Sequence, residues 1–155
     1  MPFVYGPYAN DPGVGVQVLH VAEVEGSEEP KPLSPARYSA WSPNGTKIGY
    51  LSEGCITGDW DIYNADPDGS SPDPVTSTPK TVKEGPYWSP TGGAIAISTF
   101  DELILLDVES GEMQTLVVSG TPESSGPGIH LHSPTWSPDG RYILFTAGTG
   151  HGICD

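Results

Sequence analysis

His132-Ser-Pro-Thr-Trp-Ser-Pro-Asp-Gly-Arg-Tyr-Ile-Leu-Phe-Thr-Ala147 carries a tryptophan, a tight turn and an apolar run in that order. The order recurs twice upstream, as Arg37-Tyr-Ser-Ala-Trp-Ser-Pro-Asn-Gly-Thr-Lys-Ile-Gly-Tyr-Leu-Ser52 and Glu84-Gly-Pro-Tyr-Trp-Ser-Pro-Thr-Gly-Gly-Ala-Ile-Ala-Ile-Ser98. Trp41, Trp88 and Trp136 stand 47 and 48 residues apart, which makes the chain a repeat protein.

Each copy reads as two strands and the hairpin between them. The Trp ends an inner strand. In the Ser-Pro-x-Gly turn, proline presets φ near about −65° and glycine supplies a positive φ. The run that follows alternates or is wholly apolar (Ile48 and Tyr50; Ile95 and Ile97; Ile143 and Phe145), so at least one face of that strand is buried. Short strands at this period mark propeller blades stacked face to face.

With these residues in view, the P-x-W-S-P-D-G segment and its apolar strand resemble the WD40-like (PD40) repeat of the TolB-type β-propellers, over nearly the whole chain. That group includes the TolB periplasmic protein, the gating propellers of prolyl oligopeptidase-like and tricorn proteases, and the oligogalacturonate lyases. The resemblance implies an all-β propeller segment and favours a periplasmic or extracellular setting. It leaves function open, because one propeller architecture carries many unrelated activities.

Composition narrows the partners. The chain has 155 residues, 35% of them hydrophobic, enough for one moderate core, and its 20 Gly and 17 Pro suit tight turns rather than helices. With 20 acidic against 6 basic side chains the formal charge is −14, so a nucleic-acid backbone would be repelled. No apolar run is long enough for a membrane span, and Met1-Pro-Phe-Val-Tyr5 lacks the charged and apolar regions of a signal peptide, so the expectation is a cytosolic chain or one stripped of its leader. The acidity itself reads as a solvated surface.

In chain order the expected blades are a partial blade over 1–36 (strands two to four), blades over 37–83 and 84–121, and a partial blade over 122–155 (strands one and two). In the first, Phe3-Val4-Tyr5 is a second strand, Val14 to Val24 a third, and the Pro- and charge-rich stretch to Leu33 a guarded outer edge. Asp66-Pro-Asp-Gly69 and Glu109-Ser-Gly111 are the hairpins between third and fourth strands. About three four-stranded blades do not close a ring. They are either part of a longer propeller or part of a ring completed by identical chains, with the incomplete end blades complementing each other and Phe3-Val4-Tyr5 competing with Ile143-Leu-Phe145 for one place.

Propeller topology puts the Ser-Pro-x-Gly and Asp-Pro-Asp-Gly hairpins on one face and the fourth-to-first and second-to-third connections on the opposite, top face. Arg37, Glu84 and His132, each four residues before a Trp, enter the inner strands from the top and are expected near the central channel. Three different polar residues at one repeat position suggest a place the fold does not dictate, where a binding site would be written; the plain alternative is that a wet channel mouth takes any polar side chain. Asp59, Asp101 and His151 lie on the remaining top loops, with Glu53, Cys55, Thr57 and Thr149.

His130 and His132 share a strand face if the segment is extended. With His151 they form a candidate set for a divalent metal, Mn or Ca. The segment is similar to the His-x-His-Pro stretch that supplies manganese ligands in oligogalacturonate lyases. Those enzymes use the metal to acidify the proton beside a uronate carboxylate and a base to remove it.

Other chemistries are absent from the pattern. Asp59 to Gly69 is rich in carboxylates but lacks the spacing and terminal Glu of an EF-hand. No Gly-x-Ser-x-Gly elbow supports a hydrolase, and Cys55 and Cys154 read as two unpaired thiols. The expected function is a non-catalytic module for protein, peptide or glycan binding or for assembly, without cofactor and either homo-oligomeric or part of a longer chain. The alternative is a metal-dependent polysaccharide lyase or a fragment of one.

Overall fold

The computed structural model describes residues 17–25, 29–53, 60–76, 84–99, 101–119 and 130–148. Twelve strands occur among them and no helix. They are β1 (Val18–Val21), β2 (Lys31–Pro35), β3 (Tyr38–Trp41), β4 (Ile48–Glu53), β5 (Trp60–Ala65), β6 (Asp73–Pro74), β7 (Glu84–Trp88), β8 (Ala94–Ser98), β9 (Glu102–Asp107), β10 (Met113–Val118), β11 (His130–Trp136) and β12 (Ile143–Gly148). They form four antiparallel sheets, β1-β2, β3-β4-β5-β6, β7-β8-β9-β10 and β11-β12. The strands β3, β7 and β11 lie side by side across sheet boundaries, which makes them the inner strands and β6 and β10 the outer ones. The expected strand at Phe3-Val4-Tyr5 lies outside the described residues.

The turn that announces each repeat is built three times from the same bonds. Gly45, Gly92 and Gly140 have φ of 70°, 76° and 71° and donate to the carbonyls of Ser42, Ser89 and Ser137 at 2.8, 2.9 and 2.9 Å. The serine hydroxyl does two further things. It accepts the backbone N–H five residues on, from Lys47 at 2.9 Å, Ala94 at 3.0 Å and Tyr142 at 3.0 Å. It also meets the side chain two residues on: Asn44 at 2.8 Å, Thr91 at 3.3 Å and Asp139 at 2.6 Å. Any residue without a short hydroxyl at this place would leave an N–H of the next strand unmet, so the serine belongs to the fold.

The sheets stack through alternate faces of their strands. Ile48, Tyr50 and Ala65 turn one way, against Leu19, Val21 and Leu33 of the first sheet. Leu51 and Ile62 turn the other way, against Ile95, Ile97 and Leu106 of the third. Ala96 and Leu103 pack with Leu131 and the flanking Trp136, Ile143 and Phe145 of the fourth. The middle strands β4 and β8 are apolar on both sides because each lies between two sheets, and every fully buried Leu or Ile there contributes about 1.5–3 kcal/mol. Trp136 also ties adjacent sheets by donating its indole N–H to the Tyr87 carbonyl at 2.9 Å.

Candidate functional site

The inner strands differ in one backbone detail that decides where their first side chains go. Two residues before Trp88 and Trp136 stand Pro86 and Pro134, where the first copy has Ser39. Proline has no N–H for the ladder, and both β7 and β11 shift register at this place, between Glu84 and Tyr87 and between His132 and Thr135. Gly85 and Ser133, at φ 137° and 52°, absorb the bend. The first copy pairs regularly from Tyr38↔Leu51 to Trp41↔Ile48.

Glu84 and His132 are brought together by these bulges. The Glu84 carboxylate lies 3.0 Å from His132 Nδ1 through Oε1, and Oε2 accepts the Ser133 backbone N–H at 2.6 Å and the Ser98 hydroxyl at 3.5 Å. One carboxylate therefore spans from the third sheet to the fourth. Its side chain is 20% exposed and that of His132 is 46%, so the imidazole remains open to a partner while the glutamate is committed to its neighbours. The Tyr87 phenol beside them is pushed up to about 12, first by burial and then by the charge of Glu84.

Arg37 takes another path. Its backbone N–H donates to the Leu51 carbonyl at 3.0 Å, and its guanidinium lies 4.4 Å from the centre of the Trp60 ring at the start of β5. It thus reaches outward along its own sheet, and the three repeat-equivalent residues do not converge on one point. An open groove of about 350 Å³ runs beside it, lined by Val18, His20, Ala36 and Tyr38. Asp101 is at the same end of the third sheet, in the β8–β9 turn, exposed, with its carbonyl accepting the Ser119 N–H at 2.7 Å and its carboxylate 3.4 Å from the Thr99 hydroxyl.

The His130 and His132 rings are 6.1 Å apart between centroids, as a shared strand face requires. Among the described residues no three His, Cys, Asp or Glu side chains cluster to hold a metal ion. Asp59 and His151 lie outside the described residues, as do Cys55, Thr57, Thr149 and Cys154. Tyr87, Ser133 and Trp60 are the parts of this surface that the sequence reading passed over. The pointer to the first two was the proline two residues before Trp88 and Trp136, present in two copies and missing from the one that keeps Arg37 apart.

The structure is similar to the crystal structure of TolB from Acinetobacter baumannii, with TM-score 0.64 and 27% sequence identity over 86% of this chain and 32% of that one. It is also similar to a protein assigned as TolB from Agrobacterium tumefaciens, with TM-score 0.66 and 21% identity over 85% of this chain and 47% of that one. The chain thus spans less than half the length of either structure. No protein-family model and no curated protein matches the sequence. No helix among the described residues is long and apolar enough to cross a membrane.

Proposed function

We propose that this chain, a segment of a TolB-like β-propeller, is a non-catalytic module that binds a protein or peptide at the top ends of its inner strands. The observation that carries this reading is the exposed Arg37, its guanidinium 4.4 Å from the centre of the Trp60 ring, with exposed Tyr38 beside it at the mouth of a groove. Arginine and tyrosine are the side chains most often found at the centres of protein interfaces. Pinning the guanidinium on an indole before the partner arrives lowers the ordering cost of binding. The Glu84 bridge fixes the adjacent His132 in the same way, and stacked sheets hold both on a rigid frame. The resemblance to TolB-type propellers favours a periplasmic or extracellular setting for it.

Selection of peptides from a random display library on the immobilised protein tests the reading. Selected peptides should bind Arg37→Ala and Tyr38→Ala at least about tenfold more weakly, the loss expected of an interface hot spot, and should bind Arg141→Ala, at the other end of the strands, unchanged. Peptides indifferent to Arg37 and Tyr38 but sensitive to Arg141 would sink it. The lyase reading gains no separate support here, since it needs a third metal ligand beside His130 and His132.

A further inference from the structure

Of the fourth strands described in the first three sheets, β2 and β6 are guarded against pairing with another chain and β10 is open. β2 reads Lys31-Pro-Leu-Ser-Pro35 and β6 is only Asp73-Pro74, so charge, brevity and missing N–H groups blunt both. β10 reads Met113-Gln-Thr-Leu-Val-Val118, six residues without proline or charge, and its Met113, Leu116 and Val118 are 43%, 43% and 58% exposed.

The ladder shows which backbone groups remain for a partner. The Asp107 N–H donates to the Glu112 carbonyl at 2.9 Å and the Asp101 carbonyl accepts from Ser119 at 2.7 Å, so β9 turns its odd-numbered residues toward β10. Counting by twos, and allowing for the register shift at Leu116, Gln114 and Val117 bond inward. Met113, Thr115 and Val118 therefore direct their N–H and C=O groups away from the sheet.

The charges around this edge say what fits it. Asp101 flanks one end and Glu109 and Glu112 the other, with only neutral side chains between. A second copy would bring another −14 to the same place. We infer that β10 is a strand-docking edge for an extended peptide that is apolar and β-branched in its middle and carries Lys or Arg at both ends. The site lies at the rim, away from the Arg37 end, and does not depend on the reading given above.

The probe is the fluorescently labelled peptide Lys-Val-Thr-Val-Thr-Val-Lys, blocked at both termini and titrated with the whole chain by anisotropy. Binding should weaken at least about tenfold when alternate peptide nitrogens are methylated or both lysines are replaced by glutamate, because the first change removes ladder bonds and the second reverses the charge match. Thr115→Pro removes one outward N–H and should weaken binding by a similar factor; Leu116→Lys, an exposed change that leaves the β9 pairing intact, provides the second variant if the proline disturbs the fold. Equal binding of the methylated peptide, or unchanged binding to Leu116→Lys, overturns the assignment. So does self-association of the chain that Leu116→Lys abolishes while the peptide fails to bind, since the edge would then belong to a second copy.

Discussion

Replacing Trp136 and, separately, Trp88 by phenylalanine should change stability by clearly different amounts although the two residues occupy the same repeat position. The indole N–H of Trp136 donates to the Tyr87 carbonyl at 2.9 Å, whereas that of Trp88 is buried with no hydrogen-bond partner among the described residues. Both substitutions trim the ring by a similar volume, so the packing loss largely cancels in the comparison. Tyr87 also pairs with Ala96 in the β7–β8 ladder, so Trp136→Phe forfeits the net worth of one hydrogen bond, about 0.5–1.5 kcal/mol, rather than orphaning an acceptor. Trp88→Phe removes a buried donor whose desolvation is uncompensated, a gain of about 1 kcal/mol or more. The two variants should therefore differ by about 2 kcal/mol, or by about 1 M in urea midpoint for a chain of this size. Far-UV circular dichroism is the proper probe, since fluorescence would report on the residues being changed. Equal midpoints, or a lower midpoint for Trp88→Phe, would refute the reasoning.

Gly49→Ala should cost about 1–3 kcal/mol by overpacking, because the new Cβ would lie 2.9 Å from Pro86 Cγ and from Trp88 Nε1 and 3.3 Å from Asn64 Oδ1; a calorimetric midpoint equal to that of the parent would contradict this. Glu84→Ala strips the carboxylate that joins the third and fourth sheets, so stability should fall by about 1–2 kcal/mol and amide exchange at Ser133 should quicken, while unchanged exchange there would show that the bridge holds nothing. Asp66, Asp68, Asp107 and Asp139 are all held below the ordinary 3.8, Asp66 chiefly by Lys47, Asp68 and Asp107 by Ser70 and Ser110, and Asp139 by Ser137. A depressed folded pKa gives stability that is present above 3.8 and lost as pH falls through the lowered values, so urea midpoints should drop on acidification below 3.8 and less steeply in Asp139→Asn; a midpoint that rises over that window would contradict the assignment.

The fold was legible because its signals are local and repeated. Ser42, Ser89 and Ser137 each fix a turn with bonds that span only five residues, and the strand after each turn shows its burial in its own spelling. The surface was legible only as a set of positions. That Glu84 and His132 would meet and Arg37 would not depends on whether the inner strand bulges, and a bulge moves a side chain from one neighbour to another without altering the hydrophobic pattern. Pro86 and Pro134 contained that information, but a proline in a strand can equally mark an edge, and choosing between the two needs the neighbouring sheet. The openness of β10 was hidden for a related reason: Met113 to Val118 spells an ordinary strand, and only the strand order places it at the rim.

The turn around Asn44 also bears on how the molecule ages. An asparagine followed by glycine is the pair most prone to lose its side-chain amide, because the next backbone nitrogen can attack the side-chain carbonyl unhindered. Here that nitrogen, of Gly45, is engaged with the Ser42 carbonyl at 2.8 Å, and Asn44 Oδ1 is held by Ser42 Oγ, Thr46 N and Thr46 Oγ1 at 2.8, 3.1 and 2.8 Å. Folding therefore protects the pair chemically. Should hydrolysis occur, the aspartate produced would find its bonds ready, since Asp139 accepts from Ser137 Oγ and from the Arg141 N–H in the third turn. The isoaspartate product would not, because it threads the main chain through an extra carbon and pulls the serine away from the strand it caps. Aspartate formed at position 44 should therefore leave the fold unchanged, whereas isoaspartate should weaken the second sheet.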